Sequence, residues 1–459
     1  MKKRIFSVLF VLIIMLNTTG CTGFFSNPVS LMSPPKSSGD LVEIEEALSK
    51  ICADYELSYP SAGRYRNAII IRDLNGDGNS EALVFYQQTD NNNITVHLNV
   101  LTFNKNEWKS KYDAKLSGTG IDRVEFHDVC GDGDVEIFVG CKLYNVQEQE
   151  LNVYKYENES VTLLAQERYT DYCVGDIIGA KKPQTVLFKI TNETDNVSNE
   201  TDNVSSESKD SLIKKTVSAK LLSFSYESDG VPVALGTVNF DSSIVSFSNI
   251  TVSSVEKGKN AVFVDAFVEA SAMITEVFYY DETLKLTFYN KRTKSTDATY
   301  RDSLIGSRDI NKDGIVEIPK TYVCQGYDTV ENPTDRVYFT EWYNIKDNAF
   351  GERVTSGFIN TADNYFVSTP ATWLGKITAQ RNLEDRERSF CEWDFTNRTY
   401  GENLFSIRVF LKSEFRKNNR NYTKIKEDDE YVYAVKVNKN ATSENKVTVD
   451  YLKKNIILL

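Results

Sequence analysis

The chain has little histidine, proline or methionine, and several kinds of functional site are excluded by what it lacks. Only two His occur in 459 residues, which excludes a histidine-rich zinc site. The seven Cys form no CxxC pair and show no other metal-type spacing, so isolated thiols are expected. The formal charge of −12 argues against a nucleic-acid partner, because that binding depends on basic residues. No nucleophile elbow, P-loop or dinucleotide fingerprint appears.

The N-terminal residues 1–20 have the parts of a secretory signal peptide. A positive segment precedes an apolar run over residues 5–16, which is shorter than the about 20 residues of a membrane-spanning helix. Small and polar residues then lead to Cys21. This pattern resembles the lipobox of bacterial lipoproteins, although Thr18 stands where an aliphatic residue is usual. The resemblance implies that Cys21 is lipidated and anchors the chain at the extracytoplasmic face of the cell membrane.

The rest of the chain changes character several times. Residues 21–40 are rich in Ser, Pro and Gly and predict a flexible tether. Residues 41–59 predict a helix, because apolar residues recur there on one face. Short apolar runs separated by turn residues fill 60–330 and predict a mainly β fold. A tandem repeat of NETDNVS makes 191–211 a predicted disordered insertion, and 331–459 is expected to be a separate β-rich or α+β domain.

Three nine-residue segments carry the chemistry, and they begin at Asp73, Asp128 and Asp309. We call them loop 73 (73–81), loop 128 (128–136) and loop 309 (309–317). All share an acid at positions 1 and 5, Gly at position 6 and Glu at position 9. Oxygen ligands at alternate positions of a tight loop suit Ca²⁺, and Gly at position 6 allows a positive φ.

The predicted ligands of these calcium sites are Asp73, Asn75, Asp77, Asn79 and Glu81 in loop 73, Asp128, Asp132, Asp134 and Glu136 in loop 128, and Asp309, Asn311, Asp313 and Glu317 in loop 309. Loop 128 has Cys130 at position 3, and a thiolate is a poor Ca²⁺ ligand. That loop is therefore expected to bind weakly. A metal-free alternative stays open, because Asp, Asn and Gly favour turns by themselves.

Position 12 distinguishes between families of calcium loop. An EF-hand requires Glu there, but this chain has Val84, Val139 and Lys320. The motif instead resembles the FG-GAP or integrin-α-type repeat, in which a DxDxDGxxD loop joins two strands of a propeller blade. Uncharacterised FG-GAP-like lipoproteins of low-GC Gram-positive bacteria are similar over about 60–330. The resemblance implies a β-propeller-type domain with structural Ca²⁺.

Degenerate copies of the motif support a repeat. A segment at Asp176 aligns with loop 73 without gaps, and a weaker outline surrounds Asp265. Anchors at these intervals predict five to seven blades, some of them divergent.

The sequence favours a binding or scaffold role at the cell envelope over an enzymatic one, and it assigns no catalytic residue. The expected partners are the membrane, through the N-terminal lipid, and an unidentified protein or glycan. Two alternatives remain open. One is a polysaccharide-active enzyme with a propeller or C-terminal groove, and the other is an envelope assembly or sporulation factor. A fold does not by itself choose between them.

Overall fold

The computed structural model describes residues 39–459 apart from 91–92, 145–147, 195–212, 226–228, 257–258, 290–297, 347–348 and 419–420. The predicted signal peptide, Cys21 and nearly all of the tether lie outside the described residues, as does most of the predicted insertion. No helix of the described part is both long and apolar enough to cross a membrane.

The described strands form six antiparallel sheets, numbered here in chain order. Sheet 1 contains β1 (Glu56–Leu57), β2 (Ile69–Arg72), β3 (Glu81–Asp90), β4 (Asn93–Asn104) and β5 (Glu107–Leu116). Sheet 2 contains β6 (Gly120–His127), β7 (Glu136–Lys142), β8 (Gln149–Glu157) and β9 (Ser160–Tyr169). Sheet 3 contains β10 (Asp171–Gly175), β11 (Gln184–Thr194), β12 (Ile213–Ser223) and β13 (Val233–Asn239).

Sheet 4 contains β14 (Ser246–Glu256), β15 (Lys259–Phe267), β16 (Met273–Asp281) and β17 (Lys285–Phe288). Sheet 5 contains β18 (Ile318–Val323), β19 (Tyr338–Lys346), β20 (Ala349–Asn360), β21 (Tyr365–Ser368) and β27 (Ile456–Leu458). Sheet 6 contains β22 (Ile377–Asn382), β23 (Glu387–Asp394), β24 (Thr399–Leu411), β25 (Thr423–Glu427) and β26 (Tyr431–Val437). The helices are α1 (Gly39–Ser49), α2 (Lys412–Asn418) and α3 (Val449–Asn455), with 3-10 turns at Pro333–Asp335 and Ala371–Trp373.

Apolar clusters join each sheet to the next, because β-branched and aromatic residues pack well on pleated faces. One buried pair from each cluster marks the seam: Phe85 and Tyr154, Phe138 and Phe224, Phe188 and Phe278, Phe263 and Ile318, and Phe358 and Phe390. The predicted mainly β, propeller-like fold is confirmed. The five to seven blades were expected within 60–330, where the described residues form sheets 1 to 4 and strand β18 of sheet 5.

The outer faces of sheet 1 and sheet 6 differ from the faces that pack between neighbouring sheets. Helix α1 covers the outer face of sheet 1, where Ile44 and Leu48 pack with Val84. On the outer face of sheet 6 the hydroxyls of Ser389 and Ser406 lie 2.7 Å apart, and Phe410 packs against Phe415 of α2. Within the described residues, no strand pairing, hydrogen bond or ion pair joins sheet 1 to sheet 6.

Three sequence-based expectations differ from the structure. The helix expected over 41–59 ends at Ser49, because β1 pairs with β3 and takes up residues 56–57. The predicted disordered insertion at 191–211 begins too early, since 191–194 continue β11 and pair with β12. Asp265 anchors no loop. It lies inside β15 and is completely buried against Arg301.

The domain boundary expected at 330/331 falls between β18 and β19. These strands are paired neighbours in sheet 5, with Tyr322 opposite Phe339. Residues 331–459 thus complete sheet 5 and form sheet 6. The six described Cys side chains are all free, in agreement with the expectation of isolated thiols.

Candidate functional site

The acidic loops lie at one edge of consecutive sheets. Loop 73 joins β2 to β3, loop 128 joins β6 to β7, and loop 309 leads into β18. The degenerate copy, loop 176 (176–184), joins β10 to β11 in the same way. Loops 73, 128 and 176 each turn the chain from the first strand of a sheet into the second, whereas loop 309 precedes β18 and its flanks are joined by a bridge between Arg308 and Glu317.

Contacts between neighbours keep these loops side by side. The Val135 amide of loop 128 donates to the Leu74 carbonyl of loop 73 over 3.1 Å. The Asn260 side chain, near the start of β15, donates to the Asp176 carbonyl over 2.6 Å. Ser253 Oγ donates to the Gly314 carbonyl of loop 309 over 3.3 Å. Loops 73 and 128 therefore contact each other directly, and residues of sheet 4 contact loops 176 and 309.

The aspartate at position 1 closes each loop by accepting backbone amides. Asp73 accepts from Gly76 and Gly78 at 2.8 and 2.9 Å. Asp309 accepts from Asp313 and Gly314 at 3.0 and 2.8 Å. Such bonds from amides to a charged acceptor are stronger than neutral ones.

Loop 128 and loop 176 contain the same closure. Asp128 accepts from Gly131 and Gly133 at 2.6 and 3.1 Å, and Asp176 accepts from Ala180 and Lys181 at 2.9 and 2.8 Å. The expected positive φ at position 6 is confirmed, for example at Gly314 with +89°.

The residue at position 9 is buried below the loop and supports its start. Glu81 accepts the Leu74 amide at 3.0 Å, and Glu317 accepts the Ile310 amide at 3.0 Å. Glu136 accepts two amides, from Val129 and Cys130, at 2.8 and 3.1 Å. These glutamates were predicted as metal ligands, and the hydrogen bonds give each of them a structural role. Their role as ligands stays a prediction.

Loop 176 shows that this support does not require a charge. Gln184 stands at position 9 there, and its Oε1 accepts the amides of Ile177 and Ile178 at 2.8 and 3.1 Å. An amide oxygen thus reproduces the contact of the carboxylate in Glu136. Together, the acceptors at positions 1 and 9 form what we call the loop frame.

The glutamates of the frame are held in an unfavourable environment for their charge. Burial raises the pKa of Glu317 to about 7, and the nearby Asp313 and Asp309 add to the rise. Burial also raises the pKa values of Glu81 and Glu136. One oxygen is buried without a hydrogen-bond partner in both Glu136 and Glu317. A carboxylate in that situation is stabilised by a cation.

Positions 3 and 5 are more exposed and contact each other. Asn75 Nδ2 donates to Asp77 Oδ2 over 3.2 Å in loop 73, and Asn311 Nδ2 donates to Asp313 Oδ2 over 2.8 Å in loop 309. The other oxygen of each aspartate accepts the amide at position 7, at 2.7 Å for Asn79 and 2.8 Å for Ile315. These side chains present oxygen atoms at the loop surface.

Loop 128 differs because a lysine supplies a positive charge within it. Lys155 Nζ lies 2.6 Å from Asp132 Oδ2, and the Lys155 side chain is only 8% exposed. Burial alone would lower the pKa of Lys155, but the hydrogen bond and charge of Asp132 raise it above the usual value. The ammonium group remains protonated and neutralises the acid at position 5.

The corresponding place in sheet 1 carries no positive charge. Thr102 stands opposite Glu81 on the neighbouring strand, and its hydroxyl is buried without a hydrogen-bond partner. Sequence reasoning missed Lys155, which lies 19 residues after the end of loop 128. Its signal was a lysine inside the otherwise apolar run LNVYKY, which becomes informative only once the strand pairing is known.

The donor set fits a calcium ion in part. Among the described residues, no group of three or more His, Cys, Asp or Glu side chains is placed to hold a metal ion. An ion in loop 309 would thus need amide and backbone oxygens in addition to carboxylates, which Ca²⁺ accepts readily. The free oxygen of Glu317 and the neighbouring Asn311 are suitable, whereas Cys130 and Lys155 make loop 128 unsuitable.

Several other polar groups have structural partners. His127 ends β6, and its Nε2 lies 2.9 Å from Glu125 Oε2. The buried Asp265 forms a 2.8 Å ion pair with Arg301. Trp342 and Trp373 are buried in the apolar core, and Trp373 also borders a surface cleft beside Lys376 and Tyr451.

Comparisons with known proteins leave the chain without a family. No protein-family model matches it, and no curated protein sequence matches it. The crystal structure of the exotype rhamnogalacturonan lyase YesX matches with a TM-score of 0.31 and 11% identity, covering 76% of this chain and 73% of that one. Sqt1 of Saccharomyces cerevisiae matches with a TM-score of 0.32 and 9% identity, covering 84% of this chain and 98% of that one. A protein from Lactobacillus plantarum matches with a TM-score of 0.29 and 7% identity, covering 76% of this chain and 94% of that one. Scores at this level assign no function.

Proposed function

We propose that this chain is a lipid-anchored extracytoplasmic binding or scaffold protein whose loops 73 and 309 take up structural Ca²⁺. The observation that carries the proposal is the set of three acidic loops in sheets 1, 2 and 5, each closed by the same pattern of hydrogen bonds. Loops that are positioned by a rigid scaffold are where proteins commonly place binding residues. The partner would be a protein or a glycan of the cell envelope.

The calcium ion would have a structural part in this function. In loop 309 its ligands would be Asp309, Asn311, Asp313, the Ile315 carbonyl and the free oxygen of Glu317. The bound ion supplies positive charge that neutralises the crowded carboxylates of the loop. In loop 73 the corresponding side chains are Asp73, Asn75 and Asp77, and the Asn79 carbonyl would complete the set.

The proposed anchoring to the membrane depends on lipidation of Cys21. We expect the full-length chain, expressed in a Gram-positive host, to sediment with membranes and to label with a radioactive fatty acid. Cys21→Ser should remove the label and release the protein from the membrane fraction, because a single unlipidated segment gives no stable anchor. Membrane retention of the unlabelled variant would show that another segment holds the protein.

The binding role is tested with purified cell envelopes. The full-length chain in detergent should bind them saturably in Ca²⁺ and lose most of this binding in EGTA. The double variant Asp77→Asn/Asp313→Asn should bind weakly in both buffers. A matched control is Asp281→Asn, which changes an exposed acid in the turn between β16 and β17. Equal binding by all three proteins in both buffers would remove the acidic loops from the function.

Hydrolysis of a glycan panel, abolished by one carboxylate change, would favour the polysaccharide-active alternative.

A further inference from the structure

A small cleft between sheets 5 and 6 gathers three arginines. It has a volume of about 200 Å³ and is lined by Arg381, Arg386 and Arg388 together with Asp363 and Glu387. The chain as a whole carries a formal charge of −12, so this concentration of positive charge is local. The cleft lies far from the acidic loops in the sequence and shares no residue with them.

Two of these arginines face each other directly. Arg381 on β22 and Arg388 on β23 are partners in the strand register. Directly opposed residues of an antiparallel pair have Cβ atoms roughly 5 Å apart, and like charges in that position destabilise the sheet. The same register row continues to Ile407 on β24, which is buried in the core. The two guanidinium groups therefore start from the face that packs on sheet 5.

Two of the three positive charges have partners. Arg386 Nε lies 2.8 Å from Asp363 Oδ1, and its guanidinium stacks 4.1 Å from the centre of the Tyr431 ring. Arg381 Nη1 lies 3.6 Å from Asp335 Oδ1 and donates to the Asp335 carbonyl. The Asp363 carboxylate is also bound by Asn360 Nδ2, at 2.9 Å. Asp363 is thus already engaged by two donors.

Arg388 has no such partner. Its Nη1 donates to the Ile359 carbonyl over 3.0 Å, and among the described residues no carboxylate forms an ion pair with it. Glu387, which also lines the cleft, accepts from the Tyr422 hydroxyl at 2.8 Å and forms no ion pair with Arg388 among the described residues. Burial lowers the pKa of Arg388, Tyr365 and Asp363 oppose the fall, and the charge of Arg381 adds to it. A planar guanidinium with free donors suits a carboxylate, which it binds through two parallel hydrogen bonds.

We propose that this cleft is a binding site for the carboxylate group of a small ligand, held by Arg388 with Arg381 beside it. One surplus positive charge matches one carboxylate, and the cleft has room for a group of that size. The bound anion offsets both the unpaired charge of Arg388 and its repulsion from Arg381. This site is independent of calcium and of the proposed envelope partner.

The test uses thermal unfolding of the full-length chain in detergent at fixed ionic strength, with chloride replaced stepwise by acetate. We expect the unfolding midpoint to rise with acetate, because a ligand that binds only the native state stabilises it. Arg388→Met should unfold at a higher midpoint than the wild type in chloride, since an apolar side chain replaces a partly buried charge that has no ion-pair partner among the described residues. It should no longer respond to acetate. Arg416→Met, on the exposed side of α2, is the matched control and should respond as the wild type does.

One further variant and one comparison of anions can each contradict the proposal. Arg388→Lys should fold and retain only a weakened acetate response, roughly tenfold lower in affinity, because lysine lacks the planar fork. This variant decides the matter if Arg388→Met fails to fold. Phosphate and sulfate are compared at the same ionic strength. A larger rise in phosphate than in acetate would contradict a carboxylate site, and equal midpoints of the wild type in all four anions would overturn the site altogether.

Discussion

Loop 128 and loop 309 have the same hydrogen-bond frame, yet they balance their acidic side chains in different ways. In both, an aspartate at position 1 and a glutamate at position 9 accept the backbone amides. Loop 128 then pairs Asp132 with Lys155, whereas the position-5 acid of loop 309 contacts only the neutral Asn311 and backbone. The difference separates the part of the motif that shapes the loop from the acid at position 5, which Lys155 neutralises in loop 128 and which we propose Ca²⁺ neutralises in loop 309.

Loop 176 completes this comparison as a natural variant. It has lost the acids at positions 5 and 9, but Asp176 and Gln184 preserve the frame. The shape of the loop therefore requires hydrogen-bond acceptors at two positions and does not require a metal. A role for Ca²⁺ is left to the loops that have both exposed acids and no internal cation, which are loop 73 and loop 309.

The largest effect is expected from breaking the frame in loop 128. Glu136→Ala leaves the buried amides of Val129 and Cys130 without an acceptor and opens a small cavity. We expect a loss of about 3 kcal/mol in the free energy of unfolding, measured by urea denaturation. Glu136→Gln should restore most of it, since Gln184 makes the same contacts in loop 176. A Gln variant as unstable as the Ala variant would show that the charge itself is required.

The second-largest effect is a pH dependence of the free energy of unfolding, which the titration of Glu317 should cause. Its pKa lies near 7 in the folded chain and about 4.5 in the unfolded chain, so the folded state binds more protons between these values. Stability should therefore fall as the pH rises from 4.5 to 7 and stay low above that range. In EGTA at pH 8, Glu317→Gln should be more stable than the wild type by about 2 kcal/mol, with the gain absent at pH 4.5.

The reverse substitution in loop 176 is the control for that prediction. Gln184→Glu places a carboxylate where the structure has an amide oxygen that accepts two backbone amides. It should introduce a loss of stability with rising pH that the wild-type loop lacks. If neither variant changes the pH profile of unfolding, the glutamates at position 9 are not desolvated as the structure indicates.

A smaller effect is expected from removing the internal cation of loop 128. Lys155→Met leaves Asp132 without its ion-pair partner in a mostly buried position. We expect a loss of about 1 to 2 kcal/mol in EGTA, because the partial exposure of Asp132 limits the cost. Lys155→Arg should retain most of the stability. An unchanged midpoint for Lys155→Met would mean that the ion pair contributes nothing to the loop.

The smallest effect on stability is expected at position 5 of loop 309. Asp313→Asn preserves an oxygen that accepts the Ile315 amide, so the frame stays intact. In EGTA, the urea midpoint should not change measurably. In millimolar Ca²⁺, this variant should be less stable than the wild type, because it has lost one charged ligand. A variant that is destabilised equally in both buffers would place Asp313 in the frame.

Much of this arrangement could be predicted from the sequence. Alternating apolar runs predicted the strands, and the fixed spacing of Asp and Gly predicted the strand–loop–strand unit and its positive φ at Gly314. The hydrogen bonds of position 9 to backbone amides were not predicted, because sequence spacing does not show whether a side chain faces solvent or the core. Lys155 was missed since its contact with Asp132 depends on strand pairing across sheet 2.

In the C-terminal part, too, strand pairing could not be predicted from the sequence. A boundary was expected at 330/331 because the acidic motif stops there, but β18 pairs with β19 across it. Strand pairing is set by the burial of opposing faces, and Phe339 and Phe358 belong to one core cluster with residues of sheet 6. Loss of a loop motif does not mark the end of a packed array.

The most direct test of this account is the number of Ca²⁺ ions bound per full-length chain, measured by equilibrium dialysis against radioactive Ca²⁺. The comparison between loops predicts two ions in the wild type, one in Asp77→Asn or Asp313→Asn, and none in the double variant. Lys155→Met should not lower the number. Three ions in the wild type would contradict the role of Lys155 as the cation of loop 128. Absence of binding at millimolar Ca²⁺ would show that all four loops are closed by hydrogen bonds alone.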